Sequence, residues 1–528
     1  MTTTIITTQE TLERTMSSFD TVALVDGASI FNSGGLGINS KNGTTIGLDV
    51  AIYGDILVRD IAVNLVGSLD GTNDATANHR LFVGRTGSVV SIGNDAVKLI
   101  GSGNVVINYG EIVALERNEY AVNSLGEEFE LTNFGTITGH RGLNMDGNLG
   151  GFSAHVFNGG EIVGVEAGVF SRVALNLENT GTITASSIMS NATGGWGIQI
   201  RDETDGGGSR INNSGVIEGQ NASIEFNARD NNDNTVINSG HLIGDVIFAY
   251  GDDVFDGRGG RVDGTVFGGR GDDSYYIDDA SISIFEIGGG GLDTVFSSVS
   301  YRLESNVEVL RLTGIENING FGSTRADKLY GNNGDNVLQG GNGDDLILAS
   351  YGDDRLFGQE GDDALNGESG DDNLRGGKGS DRLIGGEDDD KLFGGSQDDV
   401  LDGSAGNDRL FGGSGDDTIS GGLDKDILVG GRGADVFFFK STTESEVLAF
   451  DVIKDFERGV DIVDIAGVPG TLDFIGLNGF SGAGNELRYS VTAKGHSVVR
   501  IDLDGDSVAD FKLLLRNVDT LDAGDFVL

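Results

Sequence analysis

The sequence contains no cysteine and a single proline, Pro469, in 528 residues. Without cysteine, neither disulfides nor thiolate metal sites are available, so any bound metal must be a hard cation held by oxygen. The near-absence of proline excludes collagen and proline-rich linkers. Basic residues are scarce: 35 Lys and Arg against 83 Asp and Glu leave a net charge of −48, which argues against nucleic acid or an anionic membrane as partner and for cations. No apolar run reaches the roughly 18 residues of a spanning helix, so no transmembrane segment is read. The five histidines are scattered, which disfavours zinc or copper. Residues 1–20 carry neither a basic n-region nor an apolar h-region, so no secretory signal peptide is read there.

Glycine is abundant instead, at 89 residues. Glycine this dense without proline means repeated tight turns. The chain is longer than one compact core can serve, so a modular or elongated protein is expected.

Residues 322–438 divide into thirteen consecutive nine-residue units without an insertion, one of which reads GGNGDDLIL at 340–348. Position six is aspartate in twelve of them: Asp327, Asp345, Asp354, Asp363, Asp372, Asp381, Asp390, Asp399, Asp408, Asp417, Asp426 and Asp435, with Asn336 the exception. Position eight is Leu, Ile or Phe throughout, and position four departs from glycine at Arg325, Asp388, Gln397 and Asp424. Six glycine-rich residues form a turn and three residues ending on an apolar side chain form a short strand. Stacked turns bring aspartates together, which costs like-charge repulsion unless a cation sits between them. Calcium suits such a shell of carboxylates and carbonyls; magnesium, with its retained waters and stricter geometry, suits it less. A flexible Gly/Asp linker would have no reason to keep an apolar residue at every ninth position.

The array resembles the GGxGxDxUx nonapeptides of the RTX (repeats-in-toxin) proteins. That resemblance implies a parallel β-roll with calcium ligated by the twelve aspartates, more weakly at Asn336 and at the four turns lacking glycine. GDDVF at 251–255 and GGRGDDSYY at 268–276 suggest a second, shorter calcium-binding stretch that includes Asp253 and Asp273. Residues 287–319 look like a spacer between the arrays.

From residue 439 the nonapeptides give way to a β-rich module. The segments DVIKDFERGVDIVDIAGV, GNELRY, DGDSVADF and DFVL make it similar to the C-terminal domain of serralysin-type secreted proteases. The resemblance implies an uncleaved signal for type I (ABC transporter) export. Asp502, Asp504, Asp506 and Asp510 have the alternating carboxylate spacing of a calcium loop, or equally of an Asp-rich turn.

Upstream, Asn-x-Gly-x-(Ile/Leu) recurs at Asn108, Asn133, Asn158, Asn179, Asn213 and Asn238, spaced by 25, 25, 21, 34 and 25 residues. A period near 25 with β-branched alternation predicts a right-handed parallel β-helix with the asparagines stacked in a ladder. The 34-residue interval predicts a loop bulging around residues 194–208. Leu12, Met16 and Phe19 fall at helical spacing, predicting a cap over residues 8–19 that shields the open end; a frayed terminus is the other reading. These coils look like those in passenger domains of secreted bacterial adhesins.

The expected fold is all-β: an N-terminal cap (1–20), a parallel β-helix (21–248), a short RTX stretch and spacer (249–321), the β-roll (322–438) and a C-terminal β-rich secretion module (439–528). No histidine begins an HExxH motif and no G-x-S-x-G occurs, so neither a zinc protease of the serralysin type nor an RTX-associated lipase is expected. The DPH signature of alginate epimerases is also absent. His140, Arg141, His155, Asp202, Glu203, Asp230 and Asp233 show no spacing that makes them converge. The expectation is a secreted, non-enzymatic calcium-binding protein acting at the cell surface or in the extracellular matrix. Its partners would be several calcium ions, the type I secretion machinery during export, and a cell-surface glycan or matrix. The alternative is a secreted polysaccharide-active enzyme (lyase, hydrolase or epimerase) with its site on the β-helix.

Overall fold

A computed structural model describes the whole chain except residues 1–2, 7–13, 17–20, 25–28, 33–37, 41–48, 59–61, 67–78, 127, 147–152, 186–194, 202–206 and 228–230. Two compact units are present, residues 1–293 and 294–528. Both are built almost wholly of parallel strands; among the described residues the only helical turns are the 3₁₀ segments Thr442–Glu444 and Ala523–Asp525.

In the first unit most coils contribute one strand to each of three parallel sheets, as Phe129–Asn133, Thr136–Thr138 and Arg141–Met145 illustrate. Alternation sets the faces. Leu131, Ile137 and Leu143 point inward and are buried, and register pairing stacks each on its counterpart in the next coil, Val156, Ile162 and Val169. Where sheets meet, side chains also run in file. Asn108, Asn133, Asn158, Asn179, Asn213 and Asn238 are buried, and each of the first five donates from Nδ2 to Oδ1 of the next at 2.7–2.8 Å. This is the asparagine ladder expected from the Asn-x-Gly-x-(Ile/Leu) repeat. The glycine two residues later is required by close stacking: a Cβ on Gly135 would strike the carbonyl of Gly110.

Two expectations are corrected here. Of residues 8–19 only Arg14–Met16 is described, and it is a strand paired in parallel with Ile38–Ser40, not a helical turn; Leu12 and Phe19 lie outside the described residues. Pairing with the following coil overrides the local helical spacing. The long interval between Asn179 and Asn213 does not form one bulge over 194–208, because Trp196–Ile200 within it is a regular strand paired with Ala167–Ser171. Much of the extra length therefore falls in 186–194 and 202–206, outside the described residues.

The second unit has two sheets. Successive nonapeptides alternate between them, so Leu346–Tyr351 pairs with Ala364–Ser369 and Arg355–Glu360 with Asn373–Lys378, each two units on. Their position-eight residues, from Leu329 to Phe437, are all at most 1% exposed and form the core. The strands are longer than expected: Val337–Asn342 and its successors through Arg409–Ser414 have six residues, running from position seven through position three of the next unit. Only positions four to six turn. Asp388, Gln397 and Asp424, which replace glycine at position four, adopt positive φ of 77–80° and keep the turn shape. Beyond the nonapeptides, Asp451–Ile453 and Ile462–Asp464 extend the two sheets before the antiparallel strands Glu486–Val491, Ser497–Asp502 and Phe511–Leu515.

Candidate metal centres

The position-six aspartates lie on the inner side of the turns and are at most 3% exposed. From Asp345 to Asp435, Oδ1 of each accepts a hydrogen bond from the backbone N–H of the position-six residue two units earlier, at 2.6–3.0 Å. This bond fixes each carboxylate and leaves its second oxygen to other partners. Oδ2 of Asp345, Asp354, Asp363, Asp372, Asp381, Asp390, Asp399, Asp408, Asp417 and Asp426 is buried and accepts no hydrogen bond. A row of ten such atoms is costly in any folded protein unless something positive meets it. Position one is open toward them: a Cβ on Gly340, Gly358 or Gly376 would collide with Oδ2 of Asp345, Asp363 or Asp381. Pairing also skips position one, as between Gln339↔Phe357 and Gly341↔Gln359.

Burial, reinforced in most by repulsion from neighbouring aspartates, drives these carboxyls far above the ordinary aspartate range. Asp345 and Asp390 are pushed up to about 8, Asp354, Asp363, Asp372, Asp399, Asp408 and Asp417 to about 7, Asp381 and Asp435 to about 6, and Asp426 to about 9. Backbone N–H donors pull the other way without offsetting desolvation. Orphaned carboxylate oxygens beside glycine-lined space, in a donor set of oxygen alone, fit a hard divalent cation.

The first two units differ. Asp327 is capped by the backbone N–H and hydroxyl of Ser323. Asn336 accepts from Asn332 N–H at 2.9 Å and donates to the Ile318 carbonyl and Asn332 Oδ1. Turns lacking glycine at position four present the same orphaned oxygen at Asp390, Asp399 and Asp426. The position-five aspartates are exposed and form a ladder of opposite sense, with Asp362 N–H donating to Asp344 Oδ1 at 2.9 Å.

The first unit carries the same geometry at a longer period. Ser209 N–H donates to Asn234 Oδ1 at 2.9 Å, Asn234 N–H to Asp253 Oδ1 at 2.6 Å, Asp253 N–H to Asp273 Oδ1 at 2.7 Å and Asp273 N–H to Asp293 Oδ1 at 3.0 Å. Asp273, Glu286 and Asp293, all buried, each bring a carboxylate oxygen within 4.8 Å of the others. Burial, with repulsion from Glu286 and Asp293, pushes Asp273 up to about 8.

In the C-terminal hairpin Asp502, Asp504 and Asp510 converge within the same limit, whereas Asp506 stands outside this group and accepts from Val508 N–H at 2.7 Å. Asp502 accepts from the N–H groups of Gly505 and Ser507, and Asp510 from that of Leu503, so these bonds also organise the turn.

Sequence reasoning missed Asp293, Glu286 and Asp451. Asp451 extends the ladder past the nonapeptides, accepting from Asp426 N–H at 2.8 Å while its Oδ2 is buried without a partner. A signal existed: Asp451-Val-Ile453 reproduces positions six to eight, and GLDTVF at 291–296 echoes GDDVF and GDDSYY at steps of 20 residues. Glu286 has no such signature.

Among the described residues, the catalytic candidates do not assemble into one site. His140 and Arg141 both contact Glu166, at 3.1 and 2.9 Å, and the Arg141 guanidinium lies 3.7 Å above the Phe170 ring. His155 lines a shallow groove with Glu130, Glu178 and Arg210 on the outer face. Asp233 accepts from Asp252 N–H at 2.9 Å. Asp202, Glu203 and Asp230 lie outside the described residues.

These features define a parallel β-roll whose turns are built for calcium. Residues 321–437 match, in overlapping segments 321–350, 340–374, 348–383 and 366–401 followed by 402–437, the family described as RTX calcium-binding nonapeptide repeat (4 copies). This part of the chain thus consists of RTX calcium-binding repeats. Among solved structures, the chain is similar to the AlgE6R3 subunit of the Azotobacter vinelandii mannuronan C5-epimerase, at 30% identity over 27% of this chain and 78% of that one, with a TM-score of 0.21. The AlgE6R2 subunit of the same organism's enzyme is 25% identical over 28% of this chain and 91% of that one, with a TM-score of 0.23. The comparison with curated proteins gave no match. No helix among the described residues is long and apolar enough to cross a membrane.

Proposed function

We propose that this chain is a secreted, non-enzymatic calcium-binding protein that acts at the cell surface or in the extracellular matrix, in adhesion or as a structural element. In this reading it leaves the cell by a type I route and folds its second unit on meeting external calcium. The observation that carries the reading is the row of buried Oδ2 atoms without hydrogen-bond partners from Asp345 to Asp426. Once ionised, such a row is tolerable only with cations in place, so in this reading folding is tied to a calcium-rich compartment. The excess of acidic residues supports the same conclusion, since the ion-free chain repels itself and stays extended enough to be exported. The metal ligands assigned are the ten aspartates with orphaned oxygens together with Asp327 and Asp435, with Asp253, Asp273, Asp502, Asp504 and Asp510 at further sites; Asp506, which caps Val508, is left out of the set.

Export is tested by deleting residues 519–528 in a producing cell. The truncated chain should be retained inside with its first unit folded; undiminished secretion refutes the type I route. The non-enzymatic reading is tested by incubating the calcium-loaded protein with alginate, pectin and exopolysaccharide. No change in chain length, uronate epimer ratio or unsaturated ends is expected, and any of these changes would favour a polysaccharide-active enzyme.

A further inference from the structure

We infer that Asp273, Glu286 and Asp293 form a separate, single-ion calcium site within the first unit, chemically distinct from the nonapeptide sites. The three carboxylates come from different local settings. Asp273 precedes the strand Ser274–Ile277, Glu286 follows the strand Ser283–Phe285, and Asp293 closes the unit. All are at most 1% exposed, and one oxygen of each lies within 4.8 Å of the others.

A cluster of acids could be held together by protons or by bonds within the protein. Asp273 argues against that. Its Oδ1 is committed to Asp253 N–H at 2.7 Å, while its Oδ2 is buried and without a partner. That oxygen is aimed at a definite place: a Cβ on Gly268 would collide at once with Asp273 Oδ2, Glu286 Oε1 and the Tyr275 hydroxyl, so the three oxygens converge beside one glycine. Glu286 is held on both oxygens, Oε1 accepting from the Tyr275 hydroxyl and Oε2 from Gly269 N–H at 3.1 Å, while neither bond reaches Asp273 Oδ2.

The ligand set decides the ion. Three carboxylates and a phenol offer only oxygen, which excludes soft metals. The site is fully buried, and magnesium, which keeps several of its waters, is poorly served there; calcium accepts irregular shells completed by backbone carbonyls. Unlike the nonapeptide sites, this one uses a glutamate, and its aspartates step by 20 residues rather than 18. It does not depend on the reading of the nonapeptides.

The test uses the full-length chain, dialysed against 1 mM calcium chloride, with bound calcium counted by mass spectrometry. Glu286→Gln should bind one ion fewer than the parent. A parent that binds only one ion, lost in Glu286→Gln, would support this site and refute the nonapeptide sites; an unchanged count in Glu286→Gln would overturn this site alone. Because the substitution could disturb folding, terbium is used as a second probe. Tyr275→Phe keeps the three carboxylates, so its ion count should equal the parent's while it loses the same increment of tyrosine-sensitised terbium emission as Glu286→Gln. Full emission from Tyr275→Phe would overturn the assignment.

Discussion

The backbone N–H of Asp354 donates to Oδ1 of Asp372 at 2.7 Å, while Oδ2 of Asp372 is buried and accepts nothing. One oxygen thus aligns the turn and the other is left for an ion, so the same side chain couples backbone register to calcium. Asp371, its exposed neighbour, accepts from Asp389 N–H at 3.1 Å and has no orphaned atom.

Asp372→Ala should therefore lower calcium stoichiometry and shift the calcium dependence of circular dichroism to higher concentration. Asp371→Ala should change stability by about 0.5 kcal/mol or less, as for other exposed positions. The same contrast is expected between Asp381→Ala and Asp371→Ala. Equal effects of the position-five and position-six changes on the calcium titration would refute the division of roles.

The pH dependence should reverse sign with calcium. A free aspartate titrates near 3.9, whereas Asp363 and Asp372 in the ion-free fold titrate at about 7 because burial penalises their charge. A group whose folded value is raised stabilises the fold fully below its unfolded value and loses that contribution as pH rises through the folded value. Without calcium, then, the roll should lose stability between about pH 4 and 7. With calcium present, protons compete with the ion, and stability should rise over the same window. Urea denaturation at both ends of the window, with calcium and with a chelator, measures the two slopes; slopes of the same sign would show that the buried carboxylates do not hold the ions.

The asparagine ladder makes the opposite prediction. Asn158 donates to Asn179 Oδ1 at 2.8 Å and to the Thr182 carbonyl at 3.1 Å, and accepts from Asn133 at 2.8 Å. Asn158→Ala leaves neighbouring buried amides short of partners and should cost about 2–4 kcal/mol. That cost should be the same with calcium or chelator, read by thermal unfolding of the first unit.

What could be read from the sequence follows from how local each cause is. The ladder from Asn108 to Asn238 and the aspartates from Asp345 to Asp435 repeat with fixed neighbours, so the pattern announces the structure. Asp293 and Asp451 occupy equivalent ladder positions, yet they fall outside the nine-residue spacing, so the sequence offers only short echoes of the repeat, and the backbone N–H of Asp273 or Asp426 is what places them in the ladder. Glu286 reaches Tyr275 through the fold alone. Conversely, the helical spacing of Leu12, Met16 and Phe19 is a local pattern that Arg14–Met16 does not follow, because that strand pairs with Ile38–Ser40. Asp506 satisfies the spacing of a calcium loop but caps Val508, which no spacing rule distinguishes from ligation.

The final prediction concerns when the second unit folds. With a dissociation constant near ~0.1 mM, about 1 mM external calcium stabilises the folded form by roughly 1.4 kcal/mol per site. The ten aspartates with orphaned oxygens would correspond to on the order of ten such contributions, about 14 kcal/mol, comparable with the whole stability of a domain. At submicromolar calcium the contribution nearly vanishes while the buried carboxylates remain. The core then available is two files of position-eight residues, one from each sheet, from Leu329 to Phe437, too narrow to offset that cost. In the first unit, by contrast, coils bury residues from three sheets, as Leu131, Ile137 and Leu143 do, and the equivalent ladder carries aspartate only at Asp253, Asp273 and Asp293, with neutral Ser209 and Asn234 before them. Hydrogen exchange of the intact chain should show protection of residues 322–438 only with calcium, and protection around Asn108, Asn133 and Asn158 with or without it. Protection of residues 322–438 that survives chelation would refute calcium-driven folding, because the orphaned oxygens would then be tolerated without the ions.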